Sequence, residues 1–522
     1  MVRAGEEKGY IRLINAKGET IGMTKNWQIP PDACDYIIYR EGDYIIAKNG
    51  KAGEEEFKDT DWGKIVNSIV SKTGGNVTIF TKNNGSEYTF STPVEFTADK
   101  VKLLSDGAVV RWTIQDTSTI PIKIYGNDLE IAGFDFRGMY WAGIYVNYMT
   151  LTKYSGIKIH DNKFSGWGGL EGGFSIGAYV TVAGCDDVWI YRNYFDINDD
   201  AVQVTRGNGF DCENVYIYDN IIKNSCIEVG GWSIDVESYI KNVTVSNNKL
   251  LTENYRAYIR VSTGIKNVEI CNNKIVNNTD TIESAGVYVY NNNYGQTHDI
   301  KIENVSIHDN YIKHYGIVAV EVAAEEYRSV RNVKIYNNTF AGTLNASSII
   351  IEANGTVDNV EIYNNKMAYD NYIVDIRALE TRGSGVLGRV ILRHNELQFL
   401  SSSSYKGFRI ALTPSELSVY GNTYTDENGN KYFDEYSLTA KFSGDGTTTT
   451  FNVPHKVLTP PYHPLMASDL VAHITPMTAD AAADAYVSEI SDTYVTITFK
   501  NAPPSGTDNV KFYVTVKRRT VW

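Results

Sequence analysis

Apolar and polar residues alternate along most of this chain inside a nine-residue phrase that keeps returning. NVYIYDNII (214–222) is the clearest copy. DVWIYRNYF (187–195), NVTVSNNKL (242–250), NVEICNNKI (267–275), NVSIHDNYI (304–312), NVKIYNNTF (332–340), NVEIYNNKM (359–367), RVILRHNEL (389–397) and ELSVYGNTY (416–424) repeat it, with looser copies starting at Lys100, Asp128 and Gly156. Pairs such as Val215 and Ile217, or Val305 and Ile307, show the period of a strand with one buried face. The seventh place is Asn at Asn162, Asn193, Asn220, Asn248, Asn273, Asn310, Asn338, Asn365, Asn395 and Asn422, at intervals of 25 to 37 residues. A period of this length means a stack of one supersecondary unit. The Asn is expected at the turn, because it tolerates the left-handed conformation and its amide can bond to the same amide one coil away. A second short strand follows each phrase, as in AVQVT (201–205), YIRVS (258–262) and VAVEV (318–322). The pattern predicts an all-β chain, a single-stranded parallel β-helix of about 12 coils with an internal asparagine ladder.

The flanks read differently. Residues 1–58 are expected to form a small β module, with YIIYREGDYIIAKNG (36–50) as a hairpin. A capping helix is expected over 59–75. There Trp62, Ile65, Val66, Ile69 and Val70 fall at helical spacing, Asp59 or Thr60 can cap, and Gly74 and Gly75 stop it. The β-helix is then expected over 76–440, its open end covered by that helix. Residues 441–522 carry further strands around NAPPSG (501–506), expected to form a small C-terminal β-sandwich. Across roughly 55–425 the repeat resembles the right-handed β-helix of the pectate-lyase-like superfamily, to which polygalacturonases and viral tailspikes belong. GDGTTTTF (444–451) and APPSGTDNV (502–510) are similar to C-terminal modules of viral tail fibres, which implies trimerisation or attachment. A plain end cap is the alternative.

Composition narrows the partners. A net charge of −13 argues against nucleic acid. No run of 18 apolar residues occurs, and the N-terminus MVRAGEEKGY lacks the apolar core of a secretion signal. The expected location is extracellular or on a virion surface, the signal having been trimmed or the protein leaving the cell another way. Five cysteines are not spaced for a metal site. Cys185 and Cys212 each stand two residues before their phrase. They therefore occupy equivalent places in coils ~4.8 Å apart, and either a disulfide or two stacked free thiols is expected.

The chemistry is expected on outward strand positions and on the loops before the second strands. Those loops carry Trp141, Trp167, the pair Asp199 and Asp200, and Trp232 in successive coils. Tyr179, Gln203, Asp235, Glu237, Tyr258, Arg260 and Tyr288 extend the patch along the strands. The tyrosines (37) and tryptophans (8) suit the stacking of sugar rings. Paired carboxylates beside aromatics are what glycoside cleavage needs, one protonating the glycosidic oxygen and the other attacking or activating water. Asp199 or Asp200 against Asp235 is the expected pair. NDDAVQV (198–204) also resembles the Asp-Asp strand of polygalacturonases, which implies that Asp199 and Asp200 are catalytic. The following coil, with Gly230-Gly231-Trp232, lacks that family's His.

The expected function is therefore a carbohydrate-active protein that cleaves a polysaccharide or cell-surface glycan, leaning to a glycoside hydrolase. Two alternatives stay open. A polysaccharide lyase would use Arg260, Tyr258 or Tyr288 and a Ca²⁺ ion on Asp235. A non-catalytic attachment protein would hold a glycan on the same patch. A homotrimer is expected from the resemblance to tailspikes.

Overall fold

The computed structural model of the chain describes residues 3–7, 10–14, 20–25 and most of 34–518. Within the last span it leaves out 116–118, 140–141, 149, 151, 166–177, 198–199, 206–209, 231–238, 253–257, 278–284, 293–299, 315–317, 345–346, 373–376, 400–407, 411, 413, 426–428, 430, 458–469 and 483.

Three strands make each coil, and each pairs in parallel with its equivalent one coil on. The first strand is the repeat phrase itself, as in Cys185–Tyr191, and its copies form sheet I. A three-residue strand such as Tyr194–Asp196 follows in sheet II, and one such as Asp200–Thr205 completes the coil in sheet III. Sheet III holds 12 strands and sheet II 14, of which the last, Lys431–Phe433, pairs antiparallel and is not part of a coil. Register stacks like on like. Val188, Val215, Val243, Val268, Val305, Val333 and Val360 lie in one inward row of sheet I. Phe136, Phe164 and Phe195 stack inside sheet II at centroid distances of 5.6 and 4.8 Å. All these side chains are buried, so the interior is filled and offers no channel.

Two left-handed residues bend every typical coil. One opens the phrase, at Lys100, Asp128, Gly156, Asp187, Asn214, Asn242, Asn267, Asn304, Asn332 and Asn359. The other is the sixth residue, as at Asp161, Arg192, Asp219, Asn247 and Asn272. The ladder asparagine is thus not the left-handed residue; it follows that residue, and its role is hydrogen bonding alone. Asn193 Nδ2 donates to Asn220 Oδ1 (3.1 Å) and to Ile159 O (2.8 Å), while the Asn193 amide also donates to Asn220 Oδ1 (2.9 Å). The pattern runs from Asn162 to Asn422, where the buried Asp434 carboxylate accepts the last amide at 2.6 Å. A second ladder, exposed, joins the opening residues: Asn242 to Asn214 (3.2 Å), Asn267 to Asn242 (3.0 Å), Asn304 to Asn267 (2.9 Å).

Both ends are closed. Helix α1 (Trp62–Thr73) lays Trp62, Ile65, Val66, Ile69 and Val70 on the first coil, with Trp62 edge-on to Phe90 at 5.4 Å. Its N-cap is Asp61, rather than the expected Asp59 or Thr60; Asp61 Oδ1 accepts from Lys64 N (3.1 Å). Asp59 instead accepts the Thr60 and Asp61 amides, turning the chain into the helix. The hairpin Tyr36–Glu41 and Tyr44–Asn49 extends sheet I, Tyr36–Glu41 running parallel to Val77–Thr81. Arg3–Glu7, Tyr10–Ile14 and Thr20–Lys25 form an antiparallel sheet of their own. Beyond Asp434, two three-stranded antiparallel sheets share a core that includes Val495, Ile497, Phe499, Phe512 and Val514. No helix among the described residues is long and apolar enough to cross a membrane.

All five cysteines are buried and free. Asp186 pairs with Glu213, which sets Cys185 beside Cys212. In this structure the two stand as stacked thiols: Cys185 Sγ donates to Ala183 O at 3.2 Å, and burial pushes the Cys212 thiol up to about 12.

Candidate functional site

Sheet III presents its outward side chains in straight rows, because each strand stands in register with the next. One row runs Thr181, Gln203, Glu228, Arg260, Tyr288, Glu321, Ile350. A second, two residues further along the strands, runs Ser262, Tyr290, Ala323, Glu352, Arg382. Neighbours in these rows lie one strand spacing apart, ~4.8 Å.

The expected site residues divide into three groups. Asp199, Asp235, Trp141, Trp167, Trp232 and Glu237 lie outside the described residues. Asp200, Gln203, Arg260 and Tyr288 stand on the outer side of sheet III. Asp200 accepts a hydrogen bond from the Cys226 thiol at 2.6 Å, and Gln203 Nε2 donates to Glu228 Oε2 at 3.2 Å. The Arg260 guanidinium lies 3.7 Å from Glu228 Oε1 and 5.7 Å from the centre of the Tyr290 ring. Tyr179 and Tyr258 are buried. Tyr179 is a correction to the outward reading. Its hydroxyl donates to Met139 O (3.1 Å), its ring meets Phe164 edge-on, and Gly143 makes room for it. Tyr258 packs edge-on against Tyr288 at 5.5 Å.

Four further charged residues complete the face. Glu228, almost buried, accepts from Gln203 and from Ser262 Oγ (3.4 Å) and sits beside Arg260. Gly230 ends its strand at φ 130°, where a Cβ would meet Ser262 O at 2.0 Å, so only glycine lets the chains approach this closely. Glu321 and Glu352 flank Arg382, whose NH2 lies 3.5 Å from Glu321 and whose Nε donates to Glu352 at 2.5 Å. Asn354 Nδ2 donates to the other Glu352 oxygen (2.9 Å). Burial pushes the Glu321 carboxyl above its ordinary pKa; the Glu352 charge adds to that, and Arg382 only partly offsets it. Burial and the Glu325 carboxylate that accepts its hydroxyl proton likewise raise the Tyr290 phenol. Each of these carboxylates is a polar residue at an outward place of an otherwise apolar second strand, as in VAVEV (318–322) and IIIEA (349–353). That signal is present in the sequence. What it lacks is register, which alone shows that Glu321 and Glu352 are neighbours.

No protein-family description matches the chain, and no curated protein sequence does. Among solved structures it is similar to the tailspike of Pseudomonas phage LKA1, with 10% identity, 87% of this chain and 92% of that one covered, and a TM-score of 0.47. It is also similar to PfbA, a surface adhesin of Streptococcus pneumoniae (12% identity, 71% and 89% covered, TM-score 0.45). The tailspike of Pseudomonas phage phi297 is similar at 12% identity, with 81% and 67% covered and a TM-score of 0.42.

Proposed function

We propose that the outer face of sheet III binds and hydrolyses a polysaccharide, with Glu321 as the general acid and Glu352 as its carboxylate partner. The observation that carries this reading is the pair itself. The two residues stand on adjacent strands, offset by two places, with Cα positions ~8 Å apart from strand spacing and rise. One arginine contacts both, and burial raises the Glu321 carboxyl, as a general acid requires. A glycosidic oxygen placed beside Glu321 would receive its proton, while Glu352, oriented by Arg382 and Asn354, would activate water or attack the anomeric carbon. Tyr288 and Tyr290 offer ring surface alongside.

A second reading rests on Asp200. It opposes Cys226, two places before Glu228, on the adjacent strand, across a register shift. Asp199, Asp200 and Asp235, with Trp141, Trp167 and Trp232 as sugar platforms, would then extend or replace the site. Ca²⁺ on Asp235 belongs to the lyase version of it. A polysaccharide substrate places the work outside the cell or on a virion, where a homotrimer is our expected assembly.

A panel of bacterial and plant glycans incubated with the protein separates these readings. New reducing ends without unsaturated uronate absorbance support hydrolysis. Absorbance from unsaturated uronates overturns it in favour of elimination. Binding without cleavage makes the face an attachment surface.

A further inference from the structure

Sheet I carries a different constellation on its own outer side, away from the glycan face. Strand Ile265–Cys271 puts Glu269 and Cys271 outward, two places apart, and strand Lys301–His308 sets His308 directly beside Cys271. A carboxylate oxygen, the thiol sulfur and an imidazole nitrogen lie within 4.8 Å of one another. His308 Nε2 is 3.0 Å from Glu269 Oε1, and its Nδ1 is 2.7 Å from Asp309 Oδ2. The imidazole is also stacked on Tyr336 at 4.6 Å, which fixes the plane of the ring.

We propose that Glu269, Cys271 and His308 bind a thiophilic divalent cation of the zinc type. Carboxylate, thiolate and imidazole are the ligands such an ion takes, at ~2.0–2.3 Å, and three protein ligands leave a fourth position for water. Tetrahedral bonds of that length put ligand atoms ~3.5 Å apart; the His308–Glu269 pair at 3.0 Å would open slightly, and the sulfur lies within 4.8 Å of both. The Asp309 carboxylate on Nδ1 is the partner that holds a metal-binding histidine in the right tautomer, with Nε2 facing the ion. Binding releases the thiol proton, and the Nε2 proton where present, to solvent. Glu269 is half exposed and gives a way in, whereas Cys271 and His308 are nearly covered.

The fold supplies its own comparison. His160 repeats the arrangement, with Glu130 at 3.0 Å, Asp161 at 2.7 Å and Tyr191 stacked on the ring, but Ala132 stands beside it where His308 has Cys271. That copy is a complete ion-pair network, and Arg192 closes it on Asp161. Cys271 is what converts the same scaffold into three converging ligands, and Ala132 shows that the coil accepts alanine there.

Cobalt(II) titration of the full chain tests this by the thiolate-to-cobalt absorption band. The band should saturate at a single equivalent, vanish in Cys271→Ala, and need about 10–100-fold more cobalt in Asp309→Asn. Thermal melting confirms that both variants are folded, and His308→Gln repeats the test should Cys271→Ala melt early. Absence of the band in the wild type, or an equal band in Cys271→Ala and His308→Gln, would overturn the assignment.

Discussion

Asn310 shows what a single ladder position does. Its Oδ1 accepts both the backbone and the side-chain amide of Asn273, while its own amide donates to Ile270 O and Asn338 Oδ1. Asn310→Ala strands several buried donors and acceptors at once, so a loss of about 3–5 kcal/mol is expected in urea unfolding. Asn304→Gly in the exposed ladder keeps the left-handed backbone (φ 60°) and should cost under about 1 kcal/mol. His160 makes a pH prediction. Burial alone would lower its pKa, but Asp161 and Glu130 outweigh burial and raise it. The native fold therefore binds the proton more tightly than the unfolded chain. This contribution is complete below about pH 6.5, the unfolded value, and fades as pH rises through the higher native value. The urea midpoint of the wild type should fall over that window, and His160→Gln should flatten the fall. On the acid side Glu130, held near 2 mainly by the His160 hydrogen bond, loses its contribution as pH drops from about 4.5 toward that value. At this scale the ladder was legible, since one residue type recurring at a coil-length interval requires that the coils stack. The left-handed residue beside it was not, because Asp, Arg, Asn and His all occupy that place.

Among the elements, α1 depends on its cap. Asp61 Oδ2 accepts the Ser91 and Thr92 amides and the Ser91 hydroxyl, while Oδ1 holds the helix start. Burial pushes its carboxyl up, but these donors more than compensate and leave it below the usual range. Asp61→Ala should cost about 2–4 kcal/mol, read by thermal or urea unfolding, because helix and first coil lose their junction together. The helix was legible from its apolar stripe, and the shift of its start to Asp61 came from contacts with Ser91 and Thr92, far off in sequence. Sheet II was hardly legible: strands of three residues such as Tyr194–Asp196 show no period. The cysteines were legible as stacked but not as free. A thiol reagent should leave the native protein unlabelled and find five thiols after unfolding without reductant.

For the whole molecule, α1 covers one end of the parallel coils, Asp434 ends the asparagine ladder, and the filled interior of the described coils turns their polar side chains outward. The architecture could be read from the repeat, because period and alternation act on hundreds of residues at once. Of the residues singled out in the sequence, Gln203, Arg260 and Tyr288 share a row with Glu321, while the neighbourhood of Glu321 and Glu352 comes from register between strands about 30 residues apart. That pairing is also the claim most open to test. If the glycan panel yields a substrate, kcat of Glu321→Gln and Asp200→Asn on it should be compared with the wild type. A fall of about 10²–10⁴-fold in Glu321→Gln, with melting unchanged and Asp200→Asn active, is the predicted result. Full activity in Glu321→Gln would contradict the account, and its loss in Asp200→Asn instead would move the chemistry to the pair with Glu228.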